Sequence, residues 1–190
     1  MKLSYKKQIF FTGIALVVIC LLIMLFVFYL KNDKKEEVGI IKNSLTDEND
    51  TLNLSGRLPL SDYVVKNKDI LTFDDDVVDY VSFKVTSEGY DGDFTIFVED
   101  CNDDYDKAIE DDYIKVLVTD SDNKLLSATE NGRVDSVKDL KVYPDKLSKK
   151  IVYVDSIKSG MEKNYMLKTW VDNSFLADKD KNYCLKVSVE

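Results

Sequence analysis

Apolar and polar residues alternate with a period of two along most of the chain after Arg57. Val81, Phe83 and Val85 are separated by Ser82 and Lys84, and residues 94–98 and 114–118 repeat the pattern. Such alternation predicts strands of an antiparallel sheet that has one solvated face. Further runs of this character lie at 69–73, 124–128, 150–154, 165–171 and 183–189.

These runs predict seven or eight short strands between residues 57 and 190, joined by loops rich in Asp, Asn, Ser and Gly. We therefore expect a mainly β domain, a two-layer antiparallel β-sandwich whose inner faces carry the alternating apolar side chains. A barrel is the alternative architecture. The sequence shows no amphipathic helix of useful length, and residues 134–140 fit a helical turn or a strand equally well.

Residues 9–30 form an uncharged apolar run of 22 residues. At about 1.5 Å per residue, a helix of this length crosses a hydrocarbon layer that is ~30 Å thick. A secretory signal peptide would have a shorter apolar core, followed by a cleavage site with small residues, and neither feature is visible. We predict one uncleaved transmembrane helix that anchors the chain in a membrane.

Lysines flank both ends of this run, but acidic residues accompany only the downstream lysines. Because short N-terminal tails with long acidic C-terminal domains usually export the domain, we place the N-terminus inside. The sequence predicts a single-pass protein of the cell membrane with an extracytoplasmic C-terminal domain. Its predicted parts are a cytoplasmic tail at 1–8, the anchor at 9–30, a polar stalk at 31–56 and the β domain at 57–190.

The charge of the exported part restricts its partners. All 35 acidic residues follow Leu30, and only three of the 26 basic residues precede it, which leaves a formal charge of −12 beyond the anchor. A domain this acidic repels phosphate backbones and anionic headgroups, so we expect neither nucleic-acid binding nor peripheral lipid docking. The same charge favours divalent cations.

Composition also argues against enzyme activity. The chain contains no His, which removes Ser-His-Asp and Cys-His catalysis together with the HExxH zinc motif. The phosphate-binding motifs GxGxxG and GxxxxGK[ST] and the hydrolase motif GxSxG do not occur either. We predict that the protein is not an enzyme and that it carries no catalytic residue.

Acidic clusters are the only candidate metal site in the sequence. Asp100, Asp103, Asp104 and Asp106 lie close together in one loop, and calcium takes six to eight oxygen ligands. The alternative is that these residues fill turns, because Asp hydrogen-bonds its own backbone there. Calcium is therefore one expectation for these four residues, and no other cofactor is predicted.

Two cysteines, Cys101 and Cys184, lie in the predicted domain, while Cys20 lies in the predicted anchor. Two cysteines in an exported domain can form one disulfide. They can also be two unrelated thiols, one on a polar loop and one on a strand. The sequence leaves both interpretations open.

Three short motifs carry a resemblance to a known family. Leu58-Pro59-Leu60-Ser61-Asp62 opens the predicted domain, and Tyr165, Leu167, Trp170 and Asp172 give the pattern Tyr-x-Leu-x-x-Trp-x-Asp after a Gly-containing turn. Residues 181–190 close the chain with a strand that ends in Val-Ser-Val-Glu. In this order the motifs resemble exported β-sandwich proteins of Gram-positive bacteria, the group of TasA and camelysin.

The resemblance implies a jelly-roll-like sandwich and a role in cell-surface or biofilm-matrix assembly, with no active site to carry over. This chain departs from fibre-forming members of the group because its anchor has no visible cleavage site. We therefore expect a membrane-anchored structural or interaction protein whose partner is another surface or matrix protein. The alternative is an extracellular ligand-binding or sensory module whose acidic loops bind calcium or a cationic ligand. The oligomeric state does not follow from the sequence.

Overall fold

The computed structural model divides the chain into two compact units, Met1–Val38 and Gly39–Glu190. The residues it describes are 19–24, 39–46, 48–55, 57–67, 78–127, 133–176, 178 and 180–190. In the first unit, residues 19–24 are helical and exposed, and the rest of the anchor predicted at 9–30 lies outside the described residues. Among the described helices, none has the length and the apolar character needed to cross a membrane.

The second unit is mainly β. Its described residues form nine strands, one short helix and three 3-10 turns. The strands are β1 (Ile40–Asn43), β2 (Thr51–Asn53), β3 (Asp79–Glu88), β4 (Gly92–Asp100), β5 (Ile114–Asp120), β6 (Lys141–Tyr143), β7 (Lys146–Ile157), β8 (Glu162–Val171) and β9 (Cys184–Val189). The helix is α1 (Asp62–Asn67), and the turns are Tyr105–Lys107, Asp111–Tyr113 and Val137–Asp139.

The strands form two antiparallel sheets. One sheet has four strands in the order β1-β3-β8-β5, and the other has five strands in the order β2-β9-β4-β7-β6. This arrangement confirms the predicted mainly β fold with two antiparallel layers. The described part of the chain holds nine strands where the sequence predicted seven or eight.

One hydrophobic cluster fills the space between the sheets. Phe83 and Val85 of β3 contribute to it from the four-stranded sheet, and Phe94 and Ile96 of β4 contribute from the five-stranded sheet. All four side chains are at most 4% exposed. The alternation that predicted the strands thus places their apolar residues in a shared core, where each large side chain contributes about 1.5–3 kcal/mol.

A second cluster covers the outer face of the four-stranded sheet. Trp170 of β8 and Leu117 of β5 point away from the main core and are completely buried. Val65 of α1 packs against them together with Val78 and Val134. Trp170 thus lies on the opposite face of β8 from Tyr165 and Leu167, which belong to the main core.

The folded unit begins earlier than the sequence predicted. The sequence predicts a polar stalk at 31–56, but β1 pairs with β3 and β2 pairs with β9, so residues 40–43 and 51–53 belong to the folded unit. Leu52 and Leu54 are each 1% exposed. Strands of three or four residues have too few apolar positions to show a period, so pairing with longer strands decides their structure.

Other elements also differ from the expectations. Leu125 forms only an isolated bridge with Thr119, so the described part of the 124–128 run is not a named strand. The run at 69–73 lies outside the described residues. Residues Val137–Asp139 form a 3-10 turn, which agrees with the helical alternative for 134–140.

Candidate functional site

In the acidic loop after β4, residues 101–112, and at the strand end before it, aspartate carboxylates accept hydrogen bonds from the loop's own backbone. Asp100 Oδ1 accepts hydrogen bonds from the Asn102 backbone N–H at 2.8 Å and from its Nδ2 at 2.6 Å. Asp104 Oδ1 accepts from the Asp106 N–H at 3.2 Å, and its carboxylate lies 3.5 Å from Lys107 Nζ. These are the local contacts that make Asp frequent in turns.

The four predicted calcium ligands, Asp100, Asp103, Asp104 and Asp106, are not gathered into a metal site. Across the described residues, no three or more His, Cys, Asp or Glu side chains form a group that could hold a metal ion. Closeness in sequence brings the four aspartates into one loop, but the carboxylates of Asp100 and Asp104 bind different partners, which are Asn102 for Asp100, and the Asp106 N–H and Lys107 for Asp104. The hydrogen bonds of Asp100 and Asp104 are those that the turn interpretation expects.

Cys101 and Cys184, for which the sequence left two interpretations open, are joined by a disulfide in the structure. Their Cα atoms are 5.1 Å apart, and 83 positions separate them in the chain. The bond links the end of β4 to the start of β9. Cys184 N–H also donates to Asn102 Oδ1 at 2.8 Å, so the acidic loop is held against the last strand.

Tyr183, just before β9, is one of two buried tyrosines that bind a carboxylate shared with a lysine. Its hydroxyl donates to Asp111 Oδ1, while Lys150 Nζ lies 2.5 Å from Asp111 Oδ2. Burial, followed by the hydrogen bond to Asp111, raises the pKa of Tyr183 far above its ordinary value. Tyr183 therefore stays protonated and ties the 3-10 turn at Asp111–Tyr113 to the core.

Tyr165 of β8 makes the corresponding contact between the two sheets. Its hydroxyl donates to Asp155 Oδ2 of β7 at 2.7 Å, and Lys163 Nζ donates to the same oxygen at 2.8 Å. Burial and this hydrogen bond raise the pKa of Tyr165 far above its ordinary value. A tyrosine that does not ionise near neutral pH acts here as a fixed hydrogen-bond donor that connects the layers.

Asp155 is expected to make the stability of the domain depend on pH. Burial alone would raise the pKa of its carboxyl, but hydrogen bonds from Lys163, Tyr165 and the Ser156 N–H hold it below its ordinary value. A lowered pKa in the folded state stabilises the fold above the unfolded pKa of about 3.9, and this contribution disappears as pH falls through the folded pKa. Melting temperatures measured from pH 6 to pH 3 should therefore decrease toward acid.

In the Asp155→Asn variant this decrease should be smaller, and stability at pH 7 should fall by about 1–3 kcal/mol because a charged hydrogen-bond partner is lost. The pKa of Glu190 is also lowered, by hydrogen bonds from Lys146 and Lys149, so some acid sensitivity should remain. Asp93→Asn is the control, since Asp93 is exposed on β4. Equal pH profiles for parent and Asp155→Asn would show that this contact does not contribute.

The outer edge of β7 exposes backbone groups that the described strands do not pair. Thr95 of β4 lies opposite Val154, but both the N–H and the C=O of Thr95 bond to Glu190 on the other side. Opposed residues of an antiparallel ladder exchange both hydrogen bonds or neither. The N–H and C=O of Val154 therefore face outward, beyond the point where β6 stops pairing at Ile151.

Sequence reasoning did not identify this edge or the tyrosine contacts. The run at 150–154 predicts a strand, but alternation does not show which strands lie on either side of it. The neighbouring strands decide whether the Val154 N–H has a hydrogen-bond partner. No sequence pattern distinguished Asp111 and Asp155 from the many other acidic residues in the chain.

The chain matches no protein-family model, no curated protein and no solved structure.

Proposed function

We propose that this protein is a membrane-anchored, extracytoplasmic structural or interaction protein that contributes to cell-surface or matrix assembly. Its sandwich adds a strand from another surface or matrix protein to the outer edge of β7. The observation that carries this proposal is the outward-facing backbone of Val154, whose side chain is 55% exposed. The membrane anchor is residues 9–30, as the sequence predicts.

Strand addition obtains affinity from main-chain hydrogen bonds and specificity from the alternating side chains. Lysine and proline are common protections of an exposed strand edge, and neither occurs between residues 151 and 157, although Lys163 Nζ of β8 donates to the neighbouring Ser156 C=O at 2.7 Å. Val154 is itself exposed at this edge, and Val142, opposite Lys150 on the β6–β7 hairpin, adds exposed apolar surface farther along β7. Together they offer a partner strand both hydrogen bonds and apolar contacts.

The strand order supports a jelly-roll-like sandwich for this protein. β2 pairs with β9, β3 with β8, and β4 with β7, so the first strands pair in order with the last ones. Consecutive strands from β1 to β6 alternate between the two sheets. This is the course of a long antiparallel ribbon wrapped around one core. The resemblance to the TasA and camelysin group also implies a jelly-roll-like fold.

The disulfide supports the extracytoplasmic location. Disulfides form and persist in oxidising surroundings and are rare in the cytosol of most organisms. The Cys101–Cys184 bond closes a long segment of the folded unit, so it contributes to the stability of the whole domain. We infer that the domain folds outside the cytoplasm, where it meets other surface proteins.

A photo-crosslinking residue in place of exposed Ser156 tests the edge directly on intact cells that carry the full-length chain. Illumination should join the chain to a second protein. Val154→Pro should reduce this adduct by about tenfold, because proline removes the outward N–H and loses binding energy of about 1.4 kcal/mol. The fold should remain intact, because proline is tolerated at edge positions whose N–H makes no internal bond.

Val154→Thr is the matched control, because threonine keeps the backbone N–H and the branched Cβ that suits a strand. Its adduct should equal that of the parent. If Val154→Pro leaves the adduct unchanged while the melting temperature is also unchanged, the partner does not use this edge. An adduct lost equally in both variants would point to the side chain instead of the backbone, and would likewise contradict strand addition.

A further inference from the structure

A groove of about 390 Å³ crosses the outer face of the four-stranded sheet. Its volume lies in the lower part of the range of about 300–1,000 Å³ that is typical of small-ligand sites. Neighbouring strands contribute its polar lining, since Lys84 of β3 lies opposite Asn164 of β8 in the antiparallel register. Polar and apolar residues share its lining, and more of the lining surface is apolar than polar: Ser44, Ser82, Lys84, Ser121, Asn164, Phe83, Tyr165 and Met166.

Three of these side chains have unused hydrogen-bonding capacity. Ser82, Ser121 and Asn164 are exposed and make no side-chain hydrogen bond with any described part of the chain. A serine hydroxyl and an asparagine carboxamide can each donate and accept. A ligand in the groove therefore meets mixed donors and acceptors on both sides, which suits chemical groups that also donate and accept, above all hydroxyls.

The groove carries no unbalanced charge among these side chains. Lys84 Nζ lies 2.9 Å from the Glu162 carboxylate, so the one lysine of the lining is already paired. The acidic chain as a whole, with a formal net charge of −9, also repels anions. A neutral ligand fits these conditions better than a phosphate or a carboxylate, and a cation would find no carboxylate among the lining residues.

An aromatic side chain stands beside the groove. Tyr80 lies two residues before Ser82 on β3, so both side chains project from the same face of the sheet about 7 Å apart. The tyrosine is 40% exposed, although large aromatic side chains are usually buried. Tyr80 is not a lining residue itself, but it adds an exposed aromatic side chain on the face that the groove crosses, and Met166 adds an apolar contact within the groove.

We propose that this groove binds a neutral, hydroxyl-rich glycan. Sugar hydroxyls pair with Ser82, Ser121 and Asn164, and the C–H face of a sugar ring packs on Tyr80. This site lies on a different sheet from the β7 edge and does not depend on strand addition. A glycan is a different class of ligand from the protein partner proposed above. It would give the domain a second kind of contact, with polysaccharide.

Isothermal titration of the full-length chain, kept in a detergent whose headgroup contains no sugar, tests the proposal. The probes are three neutral oligosaccharides, maltohexaose, cellohexaose and chitohexaose, and one anionic oligosaccharide, trigalacturonate. At least one neutral probe should bind, and trigalacturonate should not. Tyr80→Ala and Asn164→Ala should each weaken the binding by about tenfold, the size expected for a central contact.

Thr86→Ala is the matched control, because Thr86 projects from the same face of β3 but lies outside the groove lining. Its affinity should equal that of the parent, as should that of Val154→Pro, which separates this site from the β7 edge. Absence of binding by every neutral probe, or binding of trigalacturonate alone, would overturn the proposal. So would unchanged affinity in Asn164→Ala, an exposed substitution that leaves the core intact.

Discussion

A chain that ends at Asn182 is expected to lose cooperative folding. The deletion removes β9, which lies inside the five-stranded sheet between β2 and β4. It also removes Tyr183, Leu185 and Val187, each at most 2% exposed. Three large buried side chains contribute about 5–9 kcal/mol, a large part of the roughly 5–15 kcal/mol that stabilises a typical domain.

The loss extends beyond these side chains. Without β9, β2 has no partner in its sheet, and β4 loses the hydrogen bonds on one of its sides. Thermal unfolding followed by circular dichroism should show a cooperative transition for the full-length chain and none for the truncated chain. Ser188→Ala in the full-length chain is the control and should melt like the parent. A cooperative melt of the truncated chain within a few degrees of the parent would show that β9 is peripheral.

Loss of the Cys101–Cys184 bond is expected to lower stability by about 4 kcal/mol, within a usual range of about 2–5 kcal/mol. The reason is the long loop that the bond closes, with 83 positions between the two cysteines, because the unfolded chain gains entropy when this loop opens. For a domain of this size the melting temperature should fall by about 10 °C. The comparison is between the parent and a variant with Cys101→Ser and Cys184→Ser.

Cys20→Ser is the control for this measurement, since Cys20 is free and lies in the other unit. It should leave the melting temperature unchanged. Alkylation of intact cells before lysis adds a test of location: Cys101 and Cys184 should resist a thiol reagent until a reductant is added. If both cysteines are alkylated without reduction, the bond does not form in the cell, and the extracytoplasmic proposal loses its chemical support.

The longer strands could be predicted because their alternation is strong. Phe83, Phe94 and Leu167 occupy positions where every second residue is apolar, and all three are buried between the sheets. β1 and β2 could not be predicted in this way, because three or four residues give no measurable period. Leu52 is apolar in a polar region, and only its pairing with Leu185 shows why it is buried.

The candidate sites also differ in whether the sequence could predict them. The sequence drew attention to Asp100, Asp103, Asp104 and Asp106 because they are close together, yet the structure directs the carboxylates of Asp100 and Asp104 to local partners. It did not identify the groove, whose first and last lining residues, Ser44 and Met166, are 122 positions apart. Sites made from adjacent strands of a sheet are not visible as local motifs.

The amino-acid sequence by itself determined the composition-dependent properties: the acidic charge, the lack of histidine chemistry, the uncharged run at 9–30 and the β periodicity. These follow from the residues alone or from the two-residue repeat of a strand. Only the tertiary structure decided which strands are neighbours, because pairing between residues far apart in the chain depends on the whole core. That pairing joined Cys101 to Cys184 and left Val154 facing outward. It also gathered Ser82 and Asn164 at one groove.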